Sequence, residues 1–325
     1  MKSQPAQMLP KVTIVTPSYN QGAFLEQAIL SVLNQDYANI EYIIIDNAST
    51  DNSTQIIKQY AQHLSYWVSE PDTGQCDAIN KGWRIGTGSI LAWINCDDLY
   101  EPWAVREAVE YLLSHPEAGV VCGNVQVFQG EPTDAILRTI RVLNVPLHEA
   151  LIHHRSPGTT AAFMRRSVMD QVGYLNINYH YWIDPELQLR IGLVSKIGCV
   201  DRPWYRFRVH AESKSGSVSI RFAHESLKCV QELMNRSNLP VEVRENKALI
   251  LTAARLHLGH AYRGWIGDFR NAGAEYRRAF RESPFQFIRL VTRWLHMRNV
   301  IEFYFGRFRL WRNLMTLARS FKHSL

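Results

Sequence analysis

Between Val12 and Phe128 the hydrophobic positions switch repeatedly between two periods. Val12-Thr13-Ile14-Val15-Thr16 is a β-branched run closed by Pro17-Ser18-Tyr19-Asn20, and Phe24, Ala28, Ile29, Val32 and Leu33 follow at helical spacing. Tyr42-Ile43-Ile44-Ile45 is almost continuously apolar, as a strand covered on both faces requires, and it stops at Asp46. Ser49-Thr50-Asp51 then leads into a helix carrying Ile56, Ile57 and Tyr60. The same reading predicts strands over 64–68 and 90–94, helices over 77–85 and 102–114, and an extended segment over 120–128. Strands alternating with helices imply a mostly parallel, Rossmann-like α/β sheet with helices on both faces. From about Ile220 only helical periodicity remains.

In such sheets ligands lie outside the carboxyl ends of the strands. Those ends read Pro17-Ser18-Tyr19, Asp46, Ser69-Glu70-Pro71-Asp72 and Asn95-Cys96-Asp97-Asp98. The last is the sharpest: an apolar run ends in two adjacent carboxylates. One reading is a helix cap ahead of Pro102; the other is a hard-oxygen site for Mg²⁺ or Mn²⁺ and a phosphate. Four polar strand ends in succession favour the metal-phosphate reading. Neither G-x-x-x-x-G-K-[ST] nor G-x-G-x-x-G is present, which disfavours a P-loop enzyme and a dehydrogenase.

Composition changes this picture little until the tail. With 46% hydrophobic and 20% charged residues over 325, there is ample material for a core. Five scattered cysteines without a C-x-x-C argue against a disulfide framework or zinc site and fit a reducing compartment. Met1 to Pro10 has no apolar signal core and no apolar run of about 20 residues occurs, so a cytoplasmic protein is expected. The net charge of +6 is uneven: Phe285–Leu325 holds eight Lys and Arg against Glu302 alone, leaving 28 basic and 29 acidic residues elsewhere.

Along 11–130 the chain carries, in order, Thr16-Pro17-Ser18-Tyr19-Asn20, Ser31-Val32-Leu33-Asn34-Gln35, Asp46-Asn47-Ala48-Ser49-Thr50-Asp51, Ser69-Glu70-Pro71-Asp72-Thr73-Gly74-Gln75, Asp77-Ala78-Ile79-Asn80-Lys81-Gly82 and Asn95-Cys96-Asp97-Asp98. This set resembles the family 2 glycosyltransferases, which have the GT-A fold; the likeness weakens over 131–215 and is absent beyond. The resemblance implies that Pro17, Tyr19 and Asp46 line the nucleoside pocket, with Asp46 accepting hydrogen bonds from the base. Ser18, Asn20, Lys81 and Asn95 would stand beside them, and Asp77 would approach the base or ribose. Asp97 would serve the ribose or the metal shell, and Asp98 would ligate the divalent cation (Mg or Mn) that bridges the diphosphate. Cys96 stands where the family usually has Ser or Ala, and Asn47 where it has Asp or Gly, which loosens the nucleobase assignment.

Inverting transfer needs a carboxylate that takes the acceptor proton. Asp184, in Tyr181-Trp182-Ile183-Asp184-Pro185-Glu186-Leu187-Gln188-Leu189-Arg190, falls at the family's acidic motif, with Glu186 as fallback; Asp before Pro185 also reads as a helix cap. Gly158 to Arg166 looks like the strand under the acceptor site, its two arginines structural or solvent-facing. Arg206 to Ser215 is similar to the family's R-x-H-x-x-S segment. There His210 would reach the metal or diphosphate, and Lys214 or Arg208 would supply positive charge. His153-His154 reads as loop.

The expected organisation is a catalytic domain over 1–218, with a nucleotide-sugar half (11–130) and an acceptor half (131–218), and a helical region over 219–325. Ala261 to Phe280, ended by Pro284, resembles one tetratricopeptide-like helix pair. In 285–325, Trp and Phe alternate with Arg at helical spacing, which suits either a membrane surface or packing on protein, and not nucleic acid. The sequence as a whole predicts an inverting, metal-dependent glycosyltransferase. Its donor would be a nucleotide sugar, a UDP-sugar first, and its acceptor a glycan or lipid-linked molecule in surface polysaccharide synthesis. Cytoplasmic placement, peripheral at the inner membrane face, goes with it. A nucleotidyltransferase and a degenerate scaffold are the alternatives.

Overall fold

A computed structural model of the protein describes residues 9–132, 134–142, 145–153, 156, 158–210 and 219–291. They form β1 (Val12–Ser18), α1 (Gly22–Leu33), β2 (Ile40–Asp46), α2 (Ser53–Tyr60), β3 (Tyr66–Ser69), α3 (Gln75–Ile85), β4 (Ile90–Trp93), β5 (Leu99–Tyr100), α4 (Ala104–Ser114), β6 (Ala118–Phe128) and β7 (Arg138–Ile140). After these come α5 (Leu147–Ile152), β8 (Ala162–Arg165), α6 (Arg166–Val172), α7 (Ile183–Gly192) and β9 (Lys196–Arg208). Five helices close the described chain: α8 (Ile220–Met234), α9 (Val241–Glu245), α10 (Lys247–Ile266), α11 (Phe269–Glu282) and α12 (Pro284–Val291).

The chain divides into two compact units, one of 1–147 with 156–217, the other of 148–155 with 218–325. In the first unit the sheet order is β3-β2-β1-β4-β8-β6-β9-β5, with β7 on β6. β3, β2, β1 and β4 are parallel, as the alternating pattern predicts, so Ser18, Asp46, Ser69 and the chain after Trp93 share one edge. β8 enters antiparallel between β4 and β6. β9 runs parallel to β6 and carries β5 antiparallel on its far side, and that pairing returns the chain toward the ends of β1 and β4.

β9 is 13 residues long and shows why its pattern is hard to read. Its ladder with β6 is irregular around Gly123 and Asn124, and Pro203, which has no N–H to donate, stands opposite Asn124 at that irregularity. A Cβ on Gly123 would overlap the buried ring of Trp204. Trp83, Tyr42, Phe163, Trp204 and Tyr205 are all buried in this unit, and the Trp83 indole N–H donates to the Ala92 carbonyl at 3.0 Å.

The helical unit has its own core of Leu227, Val230, Leu233, Ile250, Leu256, Leu258 and Tyr276. Gly267, left-handed at φ 69°, ends α10, and the Asp268 carboxylate caps α11 by accepting the Asn271 N–H at 3.0 Å. The expected helix pair corresponds to α10 and α11, with Pro284 opening α12.

Candidate active site

The loops after β1 and β2 interlock. Asn20 N–H donates to Ser49 Oγ at 2.8 Å, and the Asn20 amide oxygen accepts the Thr50 N–H at 2.8 Å. Both loops hold a non-glycine residue in the left-handed region, Asn20 at φ 49° and Ala48 at φ 47°. Tyr19, next to Asn20, is exposed.

Asp46 closes β2. It is fully buried, and its carboxylate accepts Ser18 Oγ (2.8 Å), Ser49 Oγ (2.6 Å), the Ser49 N–H (2.9 Å) and Ser69 Oγ (2.6 Å). Those four bonds occupy the carboxylate in this structure, at the position where the resemblance implies contact with the base. It fastens the ends of β1, β2 and β3 together. The more accessible polar groups at this edge are Asn47 and Asp72. Asn47 Oδ1 accepts the Asp72 N–H at 2.7 Å, and the Asp72 carboxylate accepts the Gly74 N–H at 2.7 Å. Burial, more than the Asp77 and Asp46 charges, pushes the Asp72 carboxyl above its usual value. Asp72 was not singled out from the sequence, although it lies in one of the four polar strand ends.

Asp77 opens α3, and the Thr73 N–H that it accepts at 3.1 Å holds its carboxyl below the usual range, with the Lys81 charge assisting. Lys81 lies 3.7 Å from Asp77 and 3.5 Å from Glu70. Both carboxylates hold the Lys81 ammonium beside the loop between β3 and α3.

The two aspartates after β4 differ sharply. Asp98 is fully buried and accepts three bonds: the Arg208 N–H at 2.9 Å, Tyr205 Oη–H at 2.8 Å and Asn95 Nδ2–H at 3.1 Å. Gln75 continues the relay, donating to Asn95 Oδ1 at 2.7 Å. Burial first, and the Asp97 charge second, push the Asp98 carboxyl well above the ordinary carboxylate range. Asp97 keeps 16% of its side chain exposed, and its Oδ2 lies 3.0 Å from Nε2 of His210, whose ring packs on Phe24 at 4.8 Å. Neither aspartate caps α4, which begins at Ala104 with no side-chain cap, so the capping alternative falls.

Arg208 joins these parts. It is 2% exposed; its guanidinium donates to the Asp97 carbonyl at 3.0 Å, to the Gly130 carbonyl and to Gln27 Oε1, between the rings of Phe24 and Phe128. In this structure the guanidinium is thus engaged within the protein, where the resemblance implies positive charge for the phosphates. Lys214 lies outside the described residues. His153 is exposed just past α5, as the loop reading has it.

On the acceptor side Asp184 lies within the first turn of α7, after Trp182 as cap residue, so it is not itself the cap. It is part-exposed, and its charge adds to the burial that pushes the Cys122 thiol up to about 12. Glu186, two residues on and the fallback base of the sequence reading, is buried in a bidentate pair with Arg190 (2.7 and 2.8 Å). Gln188 fixes the facing loop, accepting Ser156 Oγ at 2.8 Å and donating to the Thr159 carbonyl at 2.7 Å. Arg165 and Arg166 bond backbone carbonyls, a structural role.

The residues present fit a divalent cation of the kind expected. One hard carboxylate oxygen and one imidazole face each other at Asp97 and His210, and no set of three or more such ligands occurs among the described residues. Mg²⁺-type ions are commonly held by one or two protein groups together with substrate phosphates. Asp98, with both oxygens already bonded inside the protein, fits less well than the sequence suggests.

The mixed, mostly parallel sheet thus carries an acidic pair beyond β4, interlocked polar loops beyond β1 and β2, and a further carboxylate on α7. Residues 13–173 match the Glycosyl transferase family 2 model, and the chain belongs to that family. A glycosyltransferase of Nostoc sp., itself uncharacterized, is 24% identical over 228 residues, spanning 67% of this chain and 70% of the relative. The putative teichuronic acid biosynthesis glycosyltransferase TuaG of Bacillus subtilis is 29% identical over 134 residues, 39% of this chain and 52% of TuaG. Among solved structures, S. aureus TarS 1-349 in complex with UDP-GlcNAc superposes with a TM-score of 0.63 at 15% identity, over 86% of this chain and 83% of that one. The mannosyltransferase PcManGT of Pyrobaculum calidifontis, in complex with GDP-Man and Mn²⁺, gives 0.58 at 19% identity, over 94% and 84%. These two structures establish the GT-A fold, and the chain is a glycosyltransferase.

Proposed function

We propose that this glycosyltransferase inverts the anomeric centre, requires a divalent cation, and moves a sugar from a UDP-sugar to a hydroxyl of a glycan or lipid-linked acceptor in surface polysaccharide synthesis. The observation that carries the reading is the part-exposed Asp97–His210 pair, set at the strand ends by a fully buried framework of Asp98, Arg208 and Tyr205. Likeness to TuaG and to TarS with UDP-GlcNAc supports the polysaccharide and UDP assignments.

Asp97 and His210 would hold the cation. Bound there, it supplies charge neutralisation for the departing diphosphate. The loops after β1 and β2 bind the nucleoside, with Tyr19 exposed for stacking and Asn47 and Asp72 offering polar groups to the base. Asp184 removes the acceptor proton as the new glycosidic bond forms, from a part-exposed place in the first turn of α7. Gln188, one turn further along α7, keeps the Ser156–Thr159 loop in place.

The test is hydrolysis and binding of UDP-GlcNAc and other UDP-sugars with and without Mn²⁺. Asp97→Asn and His210→Ala should weaken Mn²⁺-dependent UDP binding about tenfold or more. Asp184→Asn should keep UDP binding but lose about 10²–10⁴ in transfer rate. Metal-independent turnover, or UDP binding indifferent to Asp97, would overturn the metal assignment. An absence of binding to every UDP-sugar would overturn the donor.

A further inference from the structure

The described end of the helical unit carries a surface of unusual composition. Leu290, buried, fastens α12, whereas Phe285 and Ile288 are 74% and 55% exposed and share one helix face three residues apart. Phe280, 47% exposed, meets the ring of Phe287 edge-on at 5.5 Å. Arg277, Arg281 and Arg289 are exposed around them. The only acid in 277–291 is Glu282, which is paired with Arg255 at 2.5 Å.

Large apolar side chains held in water beside arginines gain nothing in a free monomer, and exposed apolar patches of this kind mark interaction sites. Their chemistry matches a bilayer interface, where apolar side chains enter the acyl boundary and guanidinium groups stay with lipid phosphates. The sequence beyond Val291 continues the composition: 292–325 adds Trp294, Phe303, Phe305, Phe308 and Trp311, with seven Lys and Arg against Glu302. We propose that the α11–α12 end docks the enzyme on an anionic phospholipid surface. A soluble polyanion would use the arginines but has no use for Phe285 and Ile288. A second copy of the same face would set Arg277, Arg281 and Arg289 against one another. The inference goes beyond the transfer reaction and does not depend on which donor is used.

The experiment is sedimentation of the full chain with phosphatidylcholine vesicles, with and without about one-third phosphatidylglycerol. The full chain should bind the anionic vesicles about tenfold more tightly than the neutral ones, and rising salt should weaken that binding as screening shortens. F285S/I288S, which leaves the charge unchanged, should weaken binding to anionic vesicles about tenfold. R277E/R281E/R289E should abolish the preference for anionic lipid. Circular dichroism and donor hydrolysis, expected to match wild type, show that the variants fold. Should the triple variant misfold, the serine pair, at two exposed positions, carries the test alone. Failure of the full chain to bind anionic vesicles overturns the proposal. So does binding by F285S/I288S equal to wild type, which would assign the surface to a polyanion, and so does a dimer in solution that the serine pair dissociates.

Discussion

Asp97 and Asp98 are neighbours in sequence and opposites in environment, and their separation tests the site at the scale of single residues. Removing the Asp98 carboxylate strands the Arg208 N–H, the Tyr205 hydroxyl and the Asn95 amide in a buried place. Each stranded donor costs about 1–3 kcal/mol. Asp98→Ala should therefore lower unfolding stability by at least about 2 kcal/mol in urea titrations. Asp97→Ala, with a part-exposed side chain, should change stability by less than about 1 kcal/mol while losing function. The sequence made the acidic pair legible because an apolar run ends there. It did not show which aspartate faces out, since that is decided by Tyr205 and Arg208, more than 100 residues away. Nor did the sequence show the burial of Asp46, over which Ser18 at the end of β1, Ser69 at the end of β3 and Ser49 in the loop after β2 close together. Ala48 offers a second check. An L-residue in the left-handed region costs about 1–2 kcal/mol, partly offset by the extra chain entropy of glycine. Ala48→Gly should thus raise the midpoint of urea unfolding slightly, by about 0.5–1 kcal/mol in stability, and Ala48→Val should lower it.

At the scale of elements, α7 separates fold from chemistry. Arg190 donates to Glu186 and also to the carbonyls of Val172, Gly173 and Tyr174 (2.7, 2.8 and 2.7 Å), so it ties α7 to the end of α6. Breaking one partner of a buried ion pair costs about 3–5 kcal/mol, and Glu186→Ala should show that loss in thermal unfolding. Asp184→Ala, two residues from Glu186 and outside that pair, should cost less stability than Glu186→Ala and stop transfer. A second element-level clamp is Glu41 on β2, which accepts Thr13 Oγ1 at 2.6 Å, the Thr87 N–H at 2.6 Å and Thr87 Oγ1 at 2.9 Å, and joins β2 and β1 to the turn before β4. Burial pushes its carboxyl up, but the hydrogen bonds from Thr13, Thr87 and Gly88 outweigh this and hold it below the usual glutamate range. A depressed carboxylate stabilises the fold above its unfolded pKa, and that contribution disappears as pH falls through the folded value. Wild type should therefore lose more stability than Glu41→Gln on acidification from pH about 5 to about 3, measured by urea unfolding. The parallel strands β1, β2 and β4 were legible because they are buried on both faces and their runs are largely apolar, whereas β3 is half-exposed and short. β9 was not legible: Asp201-Arg202-Pro203 breaks its pattern at the irregular pairing with β6, and that strand delivers Tyr205 and Arg208 to the site.

At the scale of the whole molecule, every candidate catalytic side chain belongs to the unit of 1–147 with 156–217, and the helical unit has a core of its own. Sequence periodicity announced the change from mixed to purely helical structure near residue 220. It did not assign 148–155 to the helical unit, because a short segment's partner is chosen by tertiary packing and leaves no periodic signal. Two cores should fail separately. In the α10–α11 pair, Gly259 lies against the Tyr276 ring, and a Cβ there would overlap it. Tyr276 is fully buried and cannot swing into solvent without opening the core. Gly259→Val therefore overpacks the helical unit, at about 1–3 kcal/mol or more. Hydrogen exchange should register the damage as lost amide protection in α8, α10 and α11, while β1, β2 and β4 keep theirs. Equal loss of protection in both sets of amides would mean that the two units unfold as one cooperative body. UDP binding provides the parallel functional readout. It should survive Gly259→Val at temperatures below the melting of the sheet, because the residues proposed to hold the nucleotide all lie in the other unit.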